Sequence, residues 1–201
     1  MNVTDRVDPD PRRPAAGGDP AAWVKAAADG DAEAWNQLVN RFDGLVWAVA
    51  RSFRLDRASA ADVVQTTWLR LVEHLSRIEN GERVGAWLAT TARRECLAAT
   101  RRNARREITT LPPDLPDDRT PAPDGALLRG ERDRAIWAAL GRLSDRCQQL
   151  LRLLAADPAP SYEEVSAALS MPVGSIGPTR GRCLERLRRI VTGDAPSLGA
   201  M

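Results

Sequence analysis

Histidine, cysteine and lysine are scarce in this chain of 201 residues, which has one His, three Cys and a single lysine, Lys25. No CxxC spacing occurs and His74 stands apart from every Cys, so the sequence predicts neither a metal site nor a cofactor. The lone histidine has no evident nucleophile partner and no Gly-rich phosphate loop is present, which argues against an enzyme. No apolar run approaches the roughly 18 residues of a membrane span.

The three cysteines, Cys96, Cys147 and Cys183, lie far apart in the sequence. Helical spacing places each of them on an apolar face, which predicts buried thiols rather than a redox switch. The odd number of cysteines and the lack of a signal sequence fit a protein of the reducing cytoplasm.

Nearly all of the positive charge is arginine, although the formal net charge is only +2. Residues 93–106 contain six Arg against one Glu, and residues 180–189 contain five Arg against one Glu. Residues 107–125 between them carry five acids against one Arg. The flat, bidentate guanidinium suits phosphate and guanine, so the pattern indicates two basic helices on either side of an acidic connector.

Apolar residues recur at helical spacing along most of the chain, which predicts an all-α fold of two helical domains. Proline is absent from Ala21 to Leu111, so residues 21–106 should form one uninterrupted helical domain. Five prolines mark residues 107–125 as a flexible linker that, fully extended, spans up to roughly 65 Å. Residues 126–192 should form the second domain, between a disordered leader, 1–20, and a disordered tail, 193–201.

The first domain should begin with a short helix over residues 21–28 and a long helix capped by Asp31. In the long helix an apolar stripe faces the core: Trp35, Leu38, Val39, Phe42, Leu45, Val46 and Val49. A third helix should bury Val64, Trp68, Leu71, Leu75 and Ile78. Its outer row, Asp62, Gln65, Thr66, Leu69 and Glu73, fits either a partner surface or a solvated face.

The next helix, from Val84 to about Arg106, separates an apolar side from a cationic side. The apolar side contains Leu88, Ala89, Ala92, Cys96 and Ala99. The other side aligns Trp87, Thr91, Arg94, Ala98, Arg101 and Arg105 at helical spacing. Arginine neutralises phosphates and a flat ring stacks on an unpaired base, so this stripe favours nucleic acid. Trp87 on its own fits the core equally well.

The second domain should bury Leu128, Ile136, Trp137, Leu140 and Leu143 on one helix, and Cys147, Leu150, Leu151 and Leu154 on a helix capped by Ser144. Ser161 and Glu164 then form a capping box, residues 170–174 break the helix, and Ser175 should cap a longer helix. That helix combines arginine with an apolar face, Ile176, Cys183, Leu184, Leu187 and Ile190. The pattern is typical of a helix-turn-helix that binds DNA, although a helical hairpin with a solvated basic face has the same caps.

Both halves of the chain resemble a known family. The runs DVVQTTWLRLVEHL from Asp62 and GAWLATTARRECLAATRRNARR from Gly85 resemble region two of the extracytoplasmic-function (ECF) sigma factors. The runs LSDRCQQLLRLL from Leu143 and SYEEVSAALSMPVGSIGPTRGRCLERLRR from Ser161 resemble their region four. The resemblance covers about residues 21–191, in the right order and with an acidic Pro-rich linker between the halves.

The resemblance implies an initiation subunit that binds core RNA polymerase, directs it to promoter DNA and helps open the duplex. The residues that match the row docking on the clamp helices of the largest polymerase subunit are Asp62, Gln65, Thr66 and Leu69. Those implied in minus-ten contacts, including the loop that holds a flipped base, are Asn80, Arg83, Trp87, Thr91, Arg93, Arg94, Arg101, Arg102 and Arg105. Those implied in minus-thirty-five contacts are Ser175, Gly177, Pro178, Thr179, Arg180, Arg182 and Arg186. The polymerase flap and an anti-sigma factor are further partners of this family, and no membrane contact is implied.

The chain departs from the family pattern in both DNA-binding helices. It has Arg93-Arg94-Glu95 where an Arg-Asn pair is usual, and Ser175-Ile-Gly-Pro178 where a Lys-Ser pair is common. With Pro178 in the first turn, Thr179, Arg180 and Arg182 should carry more of the base readout. The rival hypothesis is a helix-turn-helix regulator that binds duplex DNA unaided, as a dimer on a two-fold site.

Overall fold

The computed structural model describes residues 18–109 and 131–193, and in these residues the fold is all-α, as predicted. They form eight α-helices, two short 3₁₀ turns (Leu75–Arg77 and Gly81–Arg83) and no strand. The helices are α1 Pro20–Ala28, α2 Ala32–Ser52, α3 Arg57–His74, α4 Val84–Thr109, α5 Glu131–Gly141, α6 Asp145–Leu154, α7 Tyr162–Leu169 and α8 Val173–Thr192. Predictions for the leader before Gly18, for linker residues 110–125, for Leu128 and for the tail after Gly193 lie outside the described residues.

Aspartate side chains cap the N-termini of the first three helices. Asp19 Oδ1 accepts a hydrogen bond from the Ala21 N–H at 2.9 Å, and the predicted cap Asp31 accepts one from the Glu33 N–H at 2.8 Å. Asp56 accepts hydrogen bonds from both the N–H and the hydroxyl of Ser59, at 2.8 and 2.7 Å. These bonds favour the carboxylate and hold the pKa of Asp56 below its usual value.

The core of the first helical group follows the predicted stripes. On α2, Leu38, Phe42, Leu45, Val46 and Val49 are buried, while Trp35 and Val39 are half-buried. On α4, all five residues of the predicted apolar side are buried: Leu88, Ala89, Ala92, Cys96 and Ala99. The opposite side of α4 is thereby turned away from the core.

The two helical groups share one hydrophobic core. Helix α4 packs against α7, and α2 packs against α6. Leu150, Leu153 and Val165 from the second group belong to the same cluster as the buried residues of α2 and α4. Small residues on α4 permit the close approach, because the Glu164 carboxylate and the Phe42 ring lie directly against Gly85.

The capping box at the start of α7 is present as predicted and lies in this interface. The Ser161 N–H donates to Glu164 Oε2 at 2.7 Å, and the Glu164 N–H donates to Ser161 Oγ at 3.2 Å. Glu164 is buried, and the Ser161 N–H gives its carboxylate a hydrogen-bond partner, which a buried charged group needs. An exposed ion pair between Arg54 and Asp145, at 3.7 Å, also joins the two groups.

The prediction for α5 was partly wrong. Leu140 and Leu143 are buried, but Ile136 and Trp137 are 46% and 55% exposed. The Trp137 ring lies outside the core, with the Arg152 guanidinium 6.0 Å from its centroid.

On α6, Leu150 is buried as predicted, whereas Leu151 and Leu154 are only half-buried because Leu153 and Gln148 take inner positions. Gln148 Nε2 donates to the Leu143 carbonyl at 2.8 Å and to the Gly141 carbonyl at 3.1 Å, which satisfies carbonyls after α5.

The prediction of three buried thiols was wrong for two of them. Cys147 and Cys183 form a disulfide between α6 and α8, with their Cα atoms 5.5 Å apart. Helical spacing placed both cysteines on inward faces, but it does not tell which inward faces meet. Cys96 is a buried free thiol as predicted, and burial raises its pKa to about 12.

The close packing at Gly85 yields a prediction for stability. A Cβ at this position would meet the Glu164 carboxylate and approach Phe42 Cε1 to 2.8 Å. Gly85→Ala should therefore lower the free energy of unfolding by about 1–3 kcal/mol, measured by urea denaturation. The control is Gly181→Ala, because nothing lies within 4 Å of a Cβ there. It should raise the free energy of unfolding by about 0.5–1 kcal/mol. Equal stability of the two variants would contradict tight packing of α4 on α7.

Candidate nucleic-acid and polymerase interfaces

An open pocket of about 300 Å³ lies along the outer face at the start of α4. It brings together four predicted minus-ten residues and two residues that sequence reasoning missed; the lining residues are Arg83, Trp87, Thr91 and Arg94, with Ala86 and Thr90. The missed residues follow helical spacing, since Ala86 and Thr90 are one turn apart. Thr90 Oγ1 donates to the Ala86 carbonyl at 2.9 Å, so its hydroxyl proton is already used within the helix.

Trp87 serves both the core and the pocket. It is half-buried, packs against the core cluster and lies beside the His74 ring, with the centroids 5.9 Å apart and the planes tilted by 43°. Its packing against the core is confirmed, whereas its contact with nucleic acid stays a prediction. An aromatic ring that lines the same pocket as two arginines is suited to hold a flat base next to a phosphate.

The loop before α4 is an ordered turn. Asn80 is the N-cap of the 3₁₀ turn Gly81–Arg83, and its Oδ1 accepts a hydrogen bond from the Glu82 N–H at 3.1 Å. This bond directs the side-chain amide NH₂ group, a donor of two hydrogen bonds, away from the cap. Gly81 is buried against α1, where a Cβ would lie 2.6 Å from Ala21 Cα. Helix α1 therefore packs directly against the loop at Gly81.

The other predicted minus-ten arginines extend along α4. Arg94, Arg101, Arg102 and Arg105 are exposed, and Arg93 is half-buried. The acid in this run, Glu95, points towards α3, where its Oε1 lies 3.9 Å from Arg70 Nε. The basic face of α4 is therefore not neutralised by its own glutamate.

The start of α8 differs from the prediction. The helix begins at Val173 after the N-cap Pro172, so Ser175 is its third residue instead of its cap. Ser175 Oγ donates to the Pro172 carbonyl at 2.8 Å. Pro178 consequently lies inside the helix rather than in its first turn. A proline there leaves the Gly174 carbonyl without its usual N–H donor, and an interior proline typically costs about 3 kcal/mol.

Some of the predicted minus-thirty-five residues share one face of α8. At about 100° per residue, Ser175, Thr179, Arg182 and Arg186 form a single stripe. Arg182 and Arg186 are exposed, and Arg182 Nη2 donates to Thr179 Oγ1 at 3.1 Å. Arg180 is half-buried and lies on another face, nearer the buried Ile176 and Cys183. Gly177 and Pro178 also lie outside the stripe.

The predicted polymerase row lies on the outer side of α3. Asp62, Gln65 and Leu69 are exposed and Thr66 is half-buried. Leu69 is 56% exposed and Val72, one turn further, is 55% exposed. Sequence reasoning missed Val72, although its spacing of three residues from Leu69 places it on the same face. Two neighbouring exposed apolar side chains in a polar row are more typical of a contact surface than one.

No group of three or more His, Cys, Asp or Glu side chains in residues 18–109 and 131–193 is placed to hold a metal ion. No helix there is long and apolar enough to cross a membrane.

Comparison with known proteins gives matches over both halves of the chain. Residues 38–106 match the family described as Sigma-70 region 2. The chain is similar to the ECF RNA polymerase sigma factor BldN of Streptomyces coelicolor, with 27% identity over 191 residues, 92% of this chain and 71% of BldN. It is also 27% identical over 157 residues to the ECF RNA polymerase sigma factor SigE of Mycolicibacterium smegmatis, which is 77% of this chain and 60% of SigE.

Solved structures share the fold. CnrH, in complex with the cytosolic domain of CnrY, is similar with a TM-score of 0.59 and 23% identity, over 88% of this chain and 99% of CnrH. The sigma factor RpoE of Bartonella quintana, in complex with the anti-sigma factor NepR, is similar with a TM-score of 0.58 and 22% identity, over 80% of this chain and 98% of RpoE. The rival hypothesis of an independent helix-turn-helix regulator is not favoured by any of these matches. Residues 38–106 therefore match Sigma-70 region 2, and the chain as a whole is similar to ECF sigma factors.

Proposed function

We propose that this chain is a sigma factor that binds core RNA polymerase in the cytoplasm, reads the minus-ten element with α4 and the minus-thirty-five element with α8, and helps to melt the promoter. The observation that carries the proposal is the pocket at the start of α4, where Trp87, Thr91 and two arginines meet beside the Asn80 loop. The protein itself performs no covalent chemistry in this function. It replaces the pairing and stacking contacts between DNA bases by contacts with its own side chains.

Melting explains why a pocket and a basic helix occur together. Extruding a base from the duplex costs a few kcal/mol, so the protein has to supply compensating contacts. Stacking on an aromatic ring contributes about 1–3 kcal/mol per base, which Trp87 offers. Arg83 and Arg94 line the same pocket and can neutralise the flanking phosphates.

Asn80 suits the recognition of an unpaired base because its cap hydrogen bond fixes its orientation. The Oδ1 atom is occupied by the Glu82 N–H, so the NH₂ group is the part of the amide that remains for DNA. A fixed donor pair favours bases that present acceptor atoms on their Watson–Crick edge. The buried contact between Gly81 and Ala21 keeps the loop in this position.

The outer row of α3, with Asp62, Gln65, Leu69 and Val72, is the proposed contact with the clamp helices of the largest polymerase subunit. Its combination of charge and exposed apolar surface fits a protein partner. The second helical group is proposed to contact the polymerase flap. An anti-sigma protein is a further proposed partner, since CnrH and RpoE were each solved in a complex and the latter's partner is an anti-sigma factor.

Binding both promoter elements requires the two helical groups to separate. Elements centred ten and thirty-five base pairs before the start site lie roughly 85 Å apart on B-form DNA, at about 3.4 Å per base pair. Helices α4 and α7 are in contact in the described arrangement, so α8 and α4 cannot reach both elements together. The 19 residues of the predicted linker are long enough to allow most of this separation.

Run-off transcription with purified core polymerase on genomic fragments tests the proposal. The chain should direct specific transcripts, and aligned start sites should show two elements at constant spacing. Tight binding of the chain alone to a symmetric site, with no transcripts from any fragment, would overturn it.

Replacing Asn80 by Asp tests the base contact. Aspartate keeps an oxygen for the N-cap but removes the NH₂ donors, so the free energy of unfolding should change by less than about 0.5 kcal/mol. Permanganate-reactive thymines in the minus-ten region should be lost while closed-complex binding remains. Ser76→Asp, in the exposed neighbouring turn, controls for the added negative charge and should leave melting unchanged. Normal melting by the Asn80→Asp protein would exclude this role.

Arg182 and Arg188 provide a matched pair on α8. Both are exposed, but only Arg182 belongs to the stripe with Thr179 and Arg186. Arg182→Ala should weaken binding of the holoenzyme to promoter DNA by about 1–3 kcal/mol and relax the preference for one minus-thirty-five base pair, as measured by competition binding. Arg188→Ala should leave the base preference unchanged. Equal effects of the two substitutions would place the reading face elsewhere on α8.

Asp62→Arg reverses the charge in the proposed polymerase row. Asp62 is exposed at the surface of α3, so helical circular dichroism should be retained. Co-purification with core polymerase should be lost, whereas Glu33→Arg, exposed on α2, should retain it. Normal co-purification of the Asp62→Arg protein would show that polymerase binds another surface.

A further inference from the structure

The disulfide between α6 and α8 joins a half-buried residue to a buried one. Cys183 lies in the middle of α8 with only 1% of its surface exposed, whereas Cys147, in the first turn of α6, is half-buried. Their separation of 36 residues encloses α7 and the turn before α8. A reagent in solution therefore reaches the pair through Cys147.

The bond anchors a helix that is weak by its own sequence. The first half of α8 contains Gly174, Gly177, Pro178 and Gly181, all poor helix formers. Of the side chains of α8, Ile176 and Cys183 are the buried ones. One of the two buried anchors of the helix is thus a sulfur atom that can be bonded to α6 or released from it.

We propose that Cys147 and Cys183 form a reversible redox pair that fixes α8 when oxidised, and that Cys147 is the sulfur that reacts with small-molecule disulfides. The effect on transcription rests on the proposed function of α8 in promoter binding, but the sulfur chemistry does not. In the reducing cytoplasm, where that function operates, most protein disulfides are transient or sense redox state. The pair is therefore a switch instead of a permanent brace.

Oxidation of the reduced pair proceeds by two thiol–disulfide exchanges. The Cys147 thiolate attacks a small-molecule disulfide such as oxidised glutathione; a mixed disulfide forms, the small-molecule S–S bond breaks, and one small thiolate leaves. The Cys183 thiolate then attacks Cys147 Sγ, which forms the protein disulfide and releases the second small thiolate. The two protons lost by the cysteines end on the two small thiols. The protein gives up two electrons and the small disulfide accepts them.

Cys96 supplies an internal control. It is fully buried, and burial raises its pKa to about 12, which keeps it as the unreactive thiol. Cys96→Ser should leave every redox property described below unchanged.

Intact-mass spectrometry of native protein treated with oxidised glutathione tests the assignment of the two sulfurs. The reduced wild-type chain should form the internal disulfide with no adduct. Cys183→Ser should accumulate one mixed disulfide at Cys147, because the second exchange is blocked, and Cys147→Ser should stay unmodified. A wild-type chain that remains a dithiol, or a Cys147→Ser protein modified as fast as Cys183→Ser, would overturn the proposal. The wild-type result stands even if a variant fails to fold.

Hydrogen exchange and thermal unfolding of the wild-type chain test the effect on α8. Closing this loop should raise Tm by at least about 5 °C in the oxidised form. Amide exchange in residues 173–192 should be at least about tenfold slower in the oxidised form, and both differences should vanish in the Cys147→Ser/Cys183→Ser protein. Equal exchange in both redox states would overturn the switch. If exchange differs but transcription by oxidised and reduced holoenzyme is the same, the redox pair stands and its effect on promoter binding is overturned, whereas the reading role of α8 is decided by the Arg182→Ala measurement.

Discussion

Burial of one face of α4 is the constraint from which the candidate sites follow. Leu88, Ala92 and Cys96 are buried against the neighbouring helices, so the opposite side of α4 has to face solvent. That side carries the ring of Trp87 and the arginines of the pocket. The same helix thus organises the core and presents the basic surface. A substitution on its inner face would rotate or loosen the surface as well as weaken the core.

The faces of single helices were predictable, because helical periodicity is a local property. The stripes of α2 and α4, the cap at Asp31 and the capping box at Ser161 and Glu164 occur where the sequence places them. The predictions that failed depend on which helices pack against each other. Periodicity marks Cys147 and Cys183 as inward-facing, but only the packing of α6 on α8 brings them together. The exposure of Trp137 has the same origin, since it depends on which helices cover α5.

The start of α8 shows how tertiary contacts override a local rule. Serine is a preferred N-cap, so Ser175 was the natural choice. Met171 and Ile176 are both buried on either side of Pro172, and this packing fixes the turn so that the helix begins at Val173. The shift of the N-cap by three residues, from Ser175 to Pro172, moves Pro178 into the helix interior. It also explains why Ser175 joins the stripe of Thr179, Arg182 and Arg186 instead of standing before it.

Under the proposed function, the shared core links promoter binding to polymerase binding. Separating α7 from α4 exposes apolar side chains such as Val165 and Leu88, which opposes the open arrangement that the proposed function requires. A ligand that binds only a minor conformation has its apparent affinity reduced by the fraction of molecules in that conformation. When promoter DNA binds without polymerase, its apparent affinity is reduced by the whole of this factor. A polymerase that contacts α3 and the second helical group at a distance from each other favours the open arrangement, so the DNA then binds a population that is already separated.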